Sequence, residues 1–205
     1  MSFDIKGSNI NFWDLGKIQQ GSIFATGSGS INNTLSGTVA DAGSGLVTIP
    51  STGHGYAADS YVYIYGTTNY DGTYIIQSTA TNSFNISATY AAESFSGDGS
   101  ETVQPGIAPG VPFRVLETRL HLSDLGGTSE DFQIEVHSTV SDVWNAVPIS
   151  QDMNAVDDLI VDWSNKLRFF EAREPVIFTY NNTNSRVWSI VVNFSILSER
   201  NYRWR

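Results

Sequence analysis

Apolar and polar positions alternate along most of this chain, in short runs separated by turn-forming residues. Phe132, Ile134 and Val136 alternate with Asp131, Gln133, Glu135 and His137. Val176, Phe178 and Tyr180 alternate with Ile177, Thr179 and Asn181. The clearest run is Val187 to Ile196, where Trp188, Ile190, Val192, Phe194 and Ile196 share one face and Ser189, Asn193 and Ser195 mark the other. A period of two places successive side chains on opposite faces of a strand, so each run predicts a strand with an apolar and a polar face. Earlier in the chain the pattern continues through Leu46–Ile49, Tyr61–Tyr65, Thr73–Ser78 and the pair Phe84 and Ile86. Within Tyr61–Tyr65, Val62 and Ile64 oppose Tyr61, Tyr63 and Tyr65. The one helix candidate is a turn near Ser150–Val156, with Ser150 as N-cap.

Turn chemistry then proposes how the strands connect. Asp71-Gly72 supplies residues that tolerate positive φ and predicts a tight hairpin. Asn181-Asn182-Thr183-Asn184 predicts a hairpin between the last two strands, because Asn tolerates the left-handed conformation. Leu125-Gly126-Gly127-Thr128 predicts another, between the strand around Leu116–Leu122 and that around Phe132–Val136. Many short strands with turns roughly every 8–12 residues predict a sandwich or jelly roll.

Charge divides the chain. From Ile18 to Phe113 there is no Lys or Arg, and seven of the nine tyrosines fall between Tyr56 and Tyr90. A shift this sharp predicts a separate module. The expected organisation is all-β: an extended N-terminal arm (1–36), a small β-barrel or sandwich-like module (37–103), a Pro/Gly linker (104–110), a larger jelly-roll-like antiparallel β-sandwich (111–197) and a C-terminal tail (198–205).

The 205 residues carry 11 Lys and Arg against 21 Asp and Glu, a formal net charge of −10. Such a chain is repelled by phosphate, which argues against nucleic acid and anionic membrane as partners. There is no run of 18 apolar residues and no secretory leader pattern at the start, so neither membrane insertion nor secretion is expected. Cysteine is absent, which removes disulfides and thiolate chemistry. No Gly-x-Ser-x-Gly elbow and no Gly-Lys-Ser/Thr phosphate loop occurs. By strand parity His121 and His137 face outward, and His54 sits between two glycines in a turn. The acids Glu117, Glu130, Asp131, Glu135, Asp152, Asp157, Asp158 and Asp162 fall on polar faces or in loops, without a calcium-loop spacing. The chain reads as non-enzymatic, with no catalytic, cofactor-binding or metal-binding residue assigned.

What stands out instead is aromatic. Tyr61, Tyr63 and Tyr65, joined by Tyr74, form a face that fits the interior of a small barrel, a subunit interface or a glycan-stacking platform. Phe12, Trp13 and Leu15 form an apolar island in the arm, which packs on its own core or on a neighbouring subunit. Tyr202, Arg203, Trp204 and Arg205, with Arg200 before them, make the tail a basic, aromatic patch suited to an acidic partner surface.

Two stretches resemble a known setting. Gly53-His54-Gly55, Asp59 to Ile64, Gly66 to Tyr74 and Asn82 to Ile86 resemble a small β module of tailed-bacteriophage structural proteins. Leu120 to Ser123, Gly126 to Glu130, Gln151 to Met153 and Phe178 to Asn184 resemble a β-sandwich of phage and prophage structural proteins. The resemblance spans about 37–196 and rests on turn and core residues, so it speaks to fold and setting. It implies a virion protein without cofactor that assembles with itself and with other virion proteins in the host cytoplasm. The tail, baseplate or fibre-attachment region is the expected position. Capsid decoration and binding of a host-surface glycan are the alternatives.

Overall fold

A computed structural model of the chain describes residues 19–138, 141–163, 170 and 174–196. Among these residues the strands are, in order, β1 (Gln19–Ser28), β2 (Asn33–Thr34), β3 (Ser36–Thr38), β4 (Ala40–Gly43), β5 (Leu46–Pro50), β6 (Tyr61–Tyr65), β7 (Gly72–Ala80), β8 (Ser83–Ser87) and β9 (Ser94–Ser96). They continue with β10 (Thr102–Gln104), β11 (Gly106–Ile107), β12 (Phe113–Leu122), β13 (Asp131–Val136), β14 (Ala146–Asp152), β15 (Asp158–Asp162), β16 (Val176–Thr179) and β17 (Val187–Ile196). The fold is all-β and antiparallel, as the alternation predicts.

The sandwich consists of two four-stranded sheets, one ordered β1-β17-β12-β15 and the other β11-β16-β13-β14. Their inward residues are those that the period of two selects. Trp188, Ile190, Val192 and Phe194 from one sheet and Phe132, Ile134 and Phe178 from the other are all buried in one core. The small module is a seven-stranded sheet ordered β2-β10-β6-β7-β8-β5-β4, curled into a half-barrel, with β3 and β9 paired beside it. Val47, Ile49, Val62, Ile64, Ile76, Phe84, Ile86 and Val103 are buried in it.

Three boundaries differ from the sequence expectation. Residues 19–28 are not an arm: β1 pairs with β17 over all ten of its residues, from Gln19 opposite Ile196 to Ser28 opposite Val187. Ile23 and Ala25 are buried there, which is what the short, weakly apolar run concealed. The small module begins at β2 and is therefore an insertion between the first sandwich strand and the rest. The linker is partly strand as well: Gly106 and Ile107 pair with Ile177 and Val176. A two-residue edge strand tolerates the neighbouring Pro105, whose carbonyl still accepts from the Phe178 N–H (3.0 Å).

The connections differ too. The turns at Leu125–Thr128 and Asn181–Asn184 reverse the chain, yet neither closes a hairpin. Both carry it from one sheet to the other, since β12 and β17 lie in one sheet and β13 and β16 in the facing one. Each of these strands has a complete apolar face, and such faces are satisfied by facing each other across a sandwich. Asp71-Gly72 does lie between two paired strands, but Ile64 stands opposite Gly72, so the loop runs over 66–71. Asp71 Oδ1 there accepts from the Thr67 N–H (2.7 Å) and hydroxyl (2.9 Å). The helix expected near Ser150–Val156 is absent: Ser150 lies in β14, and the described helical turn is a 3-10 turn at Asp142–Trp144.

Module and sandwich are joined at the end of β1. Trp188 is buried, donates its indole N–H to the Gly29 carbonyl (3.1 Å) and meets Tyr56 edge-on at 6.0 Å. His54 stacks on Tyr56 at 5.4 Å and is itself buried, not a free loop residue. Its Nδ1 accepts from the Tyr56 N–H (3.0 Å), while Nε2 lies 2.9 Å from the Ala80 carbonyl and 3.1 Å from that of Ser83. One nitrogen accepts and the other donates, so the contacts select the neutral Nε2–H tautomer. The Tyr56 hydroxyl accepts from Asn33 Nδ2 (2.9 Å) and lies within hydrogen-bonding distance of the Ile31 (2.7 Å) and Val103 (2.8 Å) carbonyls. Burial pushes its phenol pKa well above the ordinary tyrosine value.

Gly27 is the tight point of this joint. A methyl added there would lie 2.7 Å from Trp188 Cζ2 and 2.8 Å from the Gly55 carbonyl oxygen, which accepts from Ser28 N–H (3.1 Å). One contact is a buried ring and the other backbone, so neither moves freely. Gly27→Ala is therefore expected to destabilise the chain by about 1–3 kcal/mol, the usual cost of overpacking. Urea unfolding checks this, with the loss appearing as a lower midpoint at unchanged slope.

Candidate functional site

The four candidate tyrosines do not form one open platform. Directly paired residues share a face, and Tyr74 pairs with Val62, so it lies opposite Tyr61, Tyr63 and Tyr65. Tyr61 is buried and the other three are half-buried. Tyr63 is turned toward the sandwich, where a methyl on Gly106 would lie 2.8 Å from Tyr63 Cβ and 3.0 Å from Ile177 Cγ2. Tyr65 meets the His137 ring edge-on at 5.1 Å. Burial, with Asp71 adding repulsion, pushes the Tyr63 phenol up to about 12 and raises that of Tyr74. The aromatic face is mostly a seam between module and sandwich.

That seam holds the most chemically dense group in the described chain. Glu135 Oε2 accepts from His137 Nε2 (3.2 Å), and Glu135 Oε1 accepts from the Thr179 hydroxyl (3.0 Å). The side chains of His137 and Glu135 are only 11% and 22% exposed. His137 is thus buried beside Tyr65, not outward-facing, because it lies one residue past β13 and the small module covers it. The hydrogen bond from His137, more than that from Thr179, holds the Glu135 carboxyl below its ordinary range against the opposing effect of burial. The order is hydroxyl–carboxylate–imidazole. A relay that activates a nucleophile needs the imidazole on the hydroxyl, so this arrangement braces the seam and activates nothing on Thr179.

Several other ionisable groups lie at the surface or partly exposed. His121 is exposed and its Nδ1 lies 2.7 Å from Asp158 Oδ1. Glu117 takes a two-point hydrogen bond from Arg119 (2.7 and 3.2 Å), which lowers its pKa. Asp131 and Asp152 stand opposite each other in the β13–β14 register. The Ser150 hydroxyl donates to Asp131 (2.5 Å) and that of Ser129 to Asp152 (2.8 Å). Among the described residues no group of three or more His, Asp or Glu side chains is placed to hold a metal ion.

Sequence reasoning missed one surface feature. Val143 and Trp144 are 84% and 71% exposed, and Val147 on β14 is exposed beside them. The backbone turn that carries the first two is hydrogen-bonded: Trp144 N–H donates to the Ser141 carbonyl (3.0 Å), and Asn145 Oδ1 accepts from the Ser138 N–H (2.8 Å). An exposed Trp on a hydrogen-bonded turn suits an interface anchor, because its ring is large and turns about only two side-chain torsions. The signal was an apolar pair bracketed by Ser141, Asp142 and Asn145, too short to show a period. Phe12, Trp13, Arg200, Tyr202, Arg203, Trp204 and Arg205 lie outside the described residues.

Glu135→Gln is expected to destabilise the chain at pH 7. A carboxyl whose pKa is lowered by folding contributes stability above its unfolded pKa, and that contribution is lost as pH falls through its folded one. The deficit of the variant should therefore shrink below about pH 4. Thermal melts of both proteins from pH 7 downward check the convergence.

Comparison with known proteins finds no match to the chain among protein-family models, curated proteins or solved structures.

Proposed function

We propose that this chain is a non-enzymatic structural protein of a bacteriophage virion, which assembles with itself and with neighbouring virion proteins in the tail, baseplate or fibre-attachment region. The virion setting rests on the resemblance of 37–196 to phage structural modules. The observation that carries the mechanical part is the exposed apolar pair of Val143 and Trp144, set on a hydrogen-bonded turn beside β14. Exposed anchors of this kind are costly in water and favourable only under a partner. The tail residues Tyr202, Arg203, Trp204 and Arg205, and Phe12 and Trp13 near the other end, are the further proposed anchors. The guanidiniums suit a partner carrying this chain's own acidic character. A glycan-binding reading loses its platform, since Tyr61 is buried and Tyr74 lies on the opposite face.

The test is incorporation into particles. Trp144→Ala, and separately a chain lacking 199–205, are supplied to a phage whose own copy is deleted, and purified particles are weighed by quantitative mass spectrometry. A hot-spot loss of about 2 kcal/mol lowers affinity roughly 30-fold, so each variant is expected to be depleted from particles. Trp144→Ala should melt close to the parent, because that side chain is solvent-exposed and contributes little to the core. Wild-type incorporation of both variants, or absence of the parent chain from particles, would overturn the reading.

A further inference from the structure

β1 lies at the edge of its sheet, and among the described residues only one end of its free side is bonded. Thr26 N–H donates to Ser60 Oγ (3.1 Å), and the Thr26 carbonyl accepts from the Ala57 N–H (3.0 Å) and the Ser60 hydroxyl (3.0 Å). Ser28 N–H donates to the Gly55 carbonyl (3.1 Å). These bonds run away from β17. In an antiparallel strand the N–H and C=O of one residue point to the same side, and the side alternates. Gln20, Ser22 and Phe24 therefore turn their backbone groups to the same free side as Thr26 and Ser28. Among the described residues those groups have no partner.

An open edge is normally protected by charge, proline, a bulge or brevity. The other sheet edges of the described chain are. β14 contains Pro148 and pairs through a bulge, β15 is bounded by Asp158 and Asp162, β4 carries Asp41, β2 and β11 have two residues each, and β3 and β9 have three each. β1 has none of these protections: it is ten residues long and pairs with β17 without a register shift. It also lies in a stretch of 23 residues, Ile18 to Ala40, without a single charge. In a chain of net charge −10, that stretch is where a second copy meets the least repulsion.

We propose that the free edge of β1, Gln19 to Ala25, pairs antiparallel with the same edge of a second copy across a two-fold axis at Ser22. The register is self-complementary. Ser22 meets Ser22 at the axis, and Phe24 meets position 20 of the other copy in both directions, so each pair exchanges two N–H···O=C bonds. The residues on the solvent face then continue across the axis. One row runs Phe24, Val191, Arg119 and Ile160 through the four strands, with Phe24 43% and Ile160 63% exposed. Pairing extends this row into a single eight-stranded sheet. The inference deepens the self-assembly part of the proposed function by giving it a location, and rests on that reading only for the expectation that copies associate.

Sedimentation velocity of the full chain up to ~100 µM tests it. The wild type is expected to be a dimer. Ser22→Pro removes an N–H that points away from β17, so it blocks the edge and spares the intrachain ladder. Phe24→Lys places a charge on the exposed face of the same strand and covers the case in which the proline variant fails to fold. Each folded variant, checked by its circular dichroism, is expected to dissociate to monomer, with dimer affinity down at least about tenfold. A monomeric wild type overturns the proposal, as does a ring larger than a dimer. So does a full chain that dimerises only after removal of residues 1–17, because its own N-terminal segment would then hold the edge. A dimer that persists in the folded variants overturns the β1 interface and leaves the virion reading standing, whereas absence from particles does the reverse.

Discussion

The ten-residue pairing of β1 with β17 is the contact on which the rest of the architecture depends. It joins the first described strand to the last, so nearly the whole chain is a loop that this ladder closes. Closing a loop of that length costs only slowly growing entropy, but the cost falls before the non-local contacts offset it. What offsets it is the row of Trp188, Ile190, Val192 and Phe194 on β17, together with Ile23 and Ala25 on β1, all buried in one core. The small module leaves the sandwich directly after this ladder and returns at β11. Its position is set by what happens at Gly27.

At that point shape decides more than energy per contact. Gly27 lets the Trp188 ring and the Gly55 carbonyl approach the backbone together. Trp188, Tyr56, His54 and Phe84 then form a continuous aromatic column from the sandwich into the module, with successive ring contacts at 6.0, 5.4 and 5.4 Å. The polar atoms along it are bonded: Trp188 to Gly29, Tyr56 to Asn33, and His54 to Tyr56, Ala80 and Ser83. Buried polar groups that are all satisfied specify one arrangement, because any other leaves several of them unpaired. A second seam, at Tyr63, Tyr65, Glu135 and His137, closes the opposite side of the insertion. Module and sandwich thus share a boundary of aromatic rings and hydrogen-bonded polar groups. This explains why the tyrosines that look like a recognition surface in the sequence serve as packing.

The features left for recognition are correspondingly spare. Among the described residues, solvent sees an exposed apolar pair at Val143 and Trp144, a sheet face that exposes Phe24 and Ile160, and an uncharged strand edge. None of these needs a cleft or a titrating group. They are the features on which the proposed assembly rests, and the charge-free strand lies in a chain of net charge −10.

Local pattern settled a great deal by itself. The all-β class, the inward residues of β13, β16 and β17 and the burial of Trp188 were all legible, because alternation is a property of neighbouring residues and burial follows from it. Turn positions were legible for the same reason, since Gly and Asn at Gly126, Gly127 and Asn182 mark where the backbone reverses. What the reversal joins was not. Leu125–Thr128 and Asn181–Asn184 read as hairpins, but a turn determines direction, and only the facing of apolar surfaces determines whether the next strand lies beside its predecessor or across from it. The same limit hid β1, whose two buried side chains matter only because β17 arrives beside them from the far end of the chain. It also hid the fate of His54, His137 and Tyr61, since parity assigns a side chain to a face and says nothing of whether another module covers that face. Periodicity is local and pairing is not. The sequence therefore determined which faces had to be buried, and the tertiary structure decided against what.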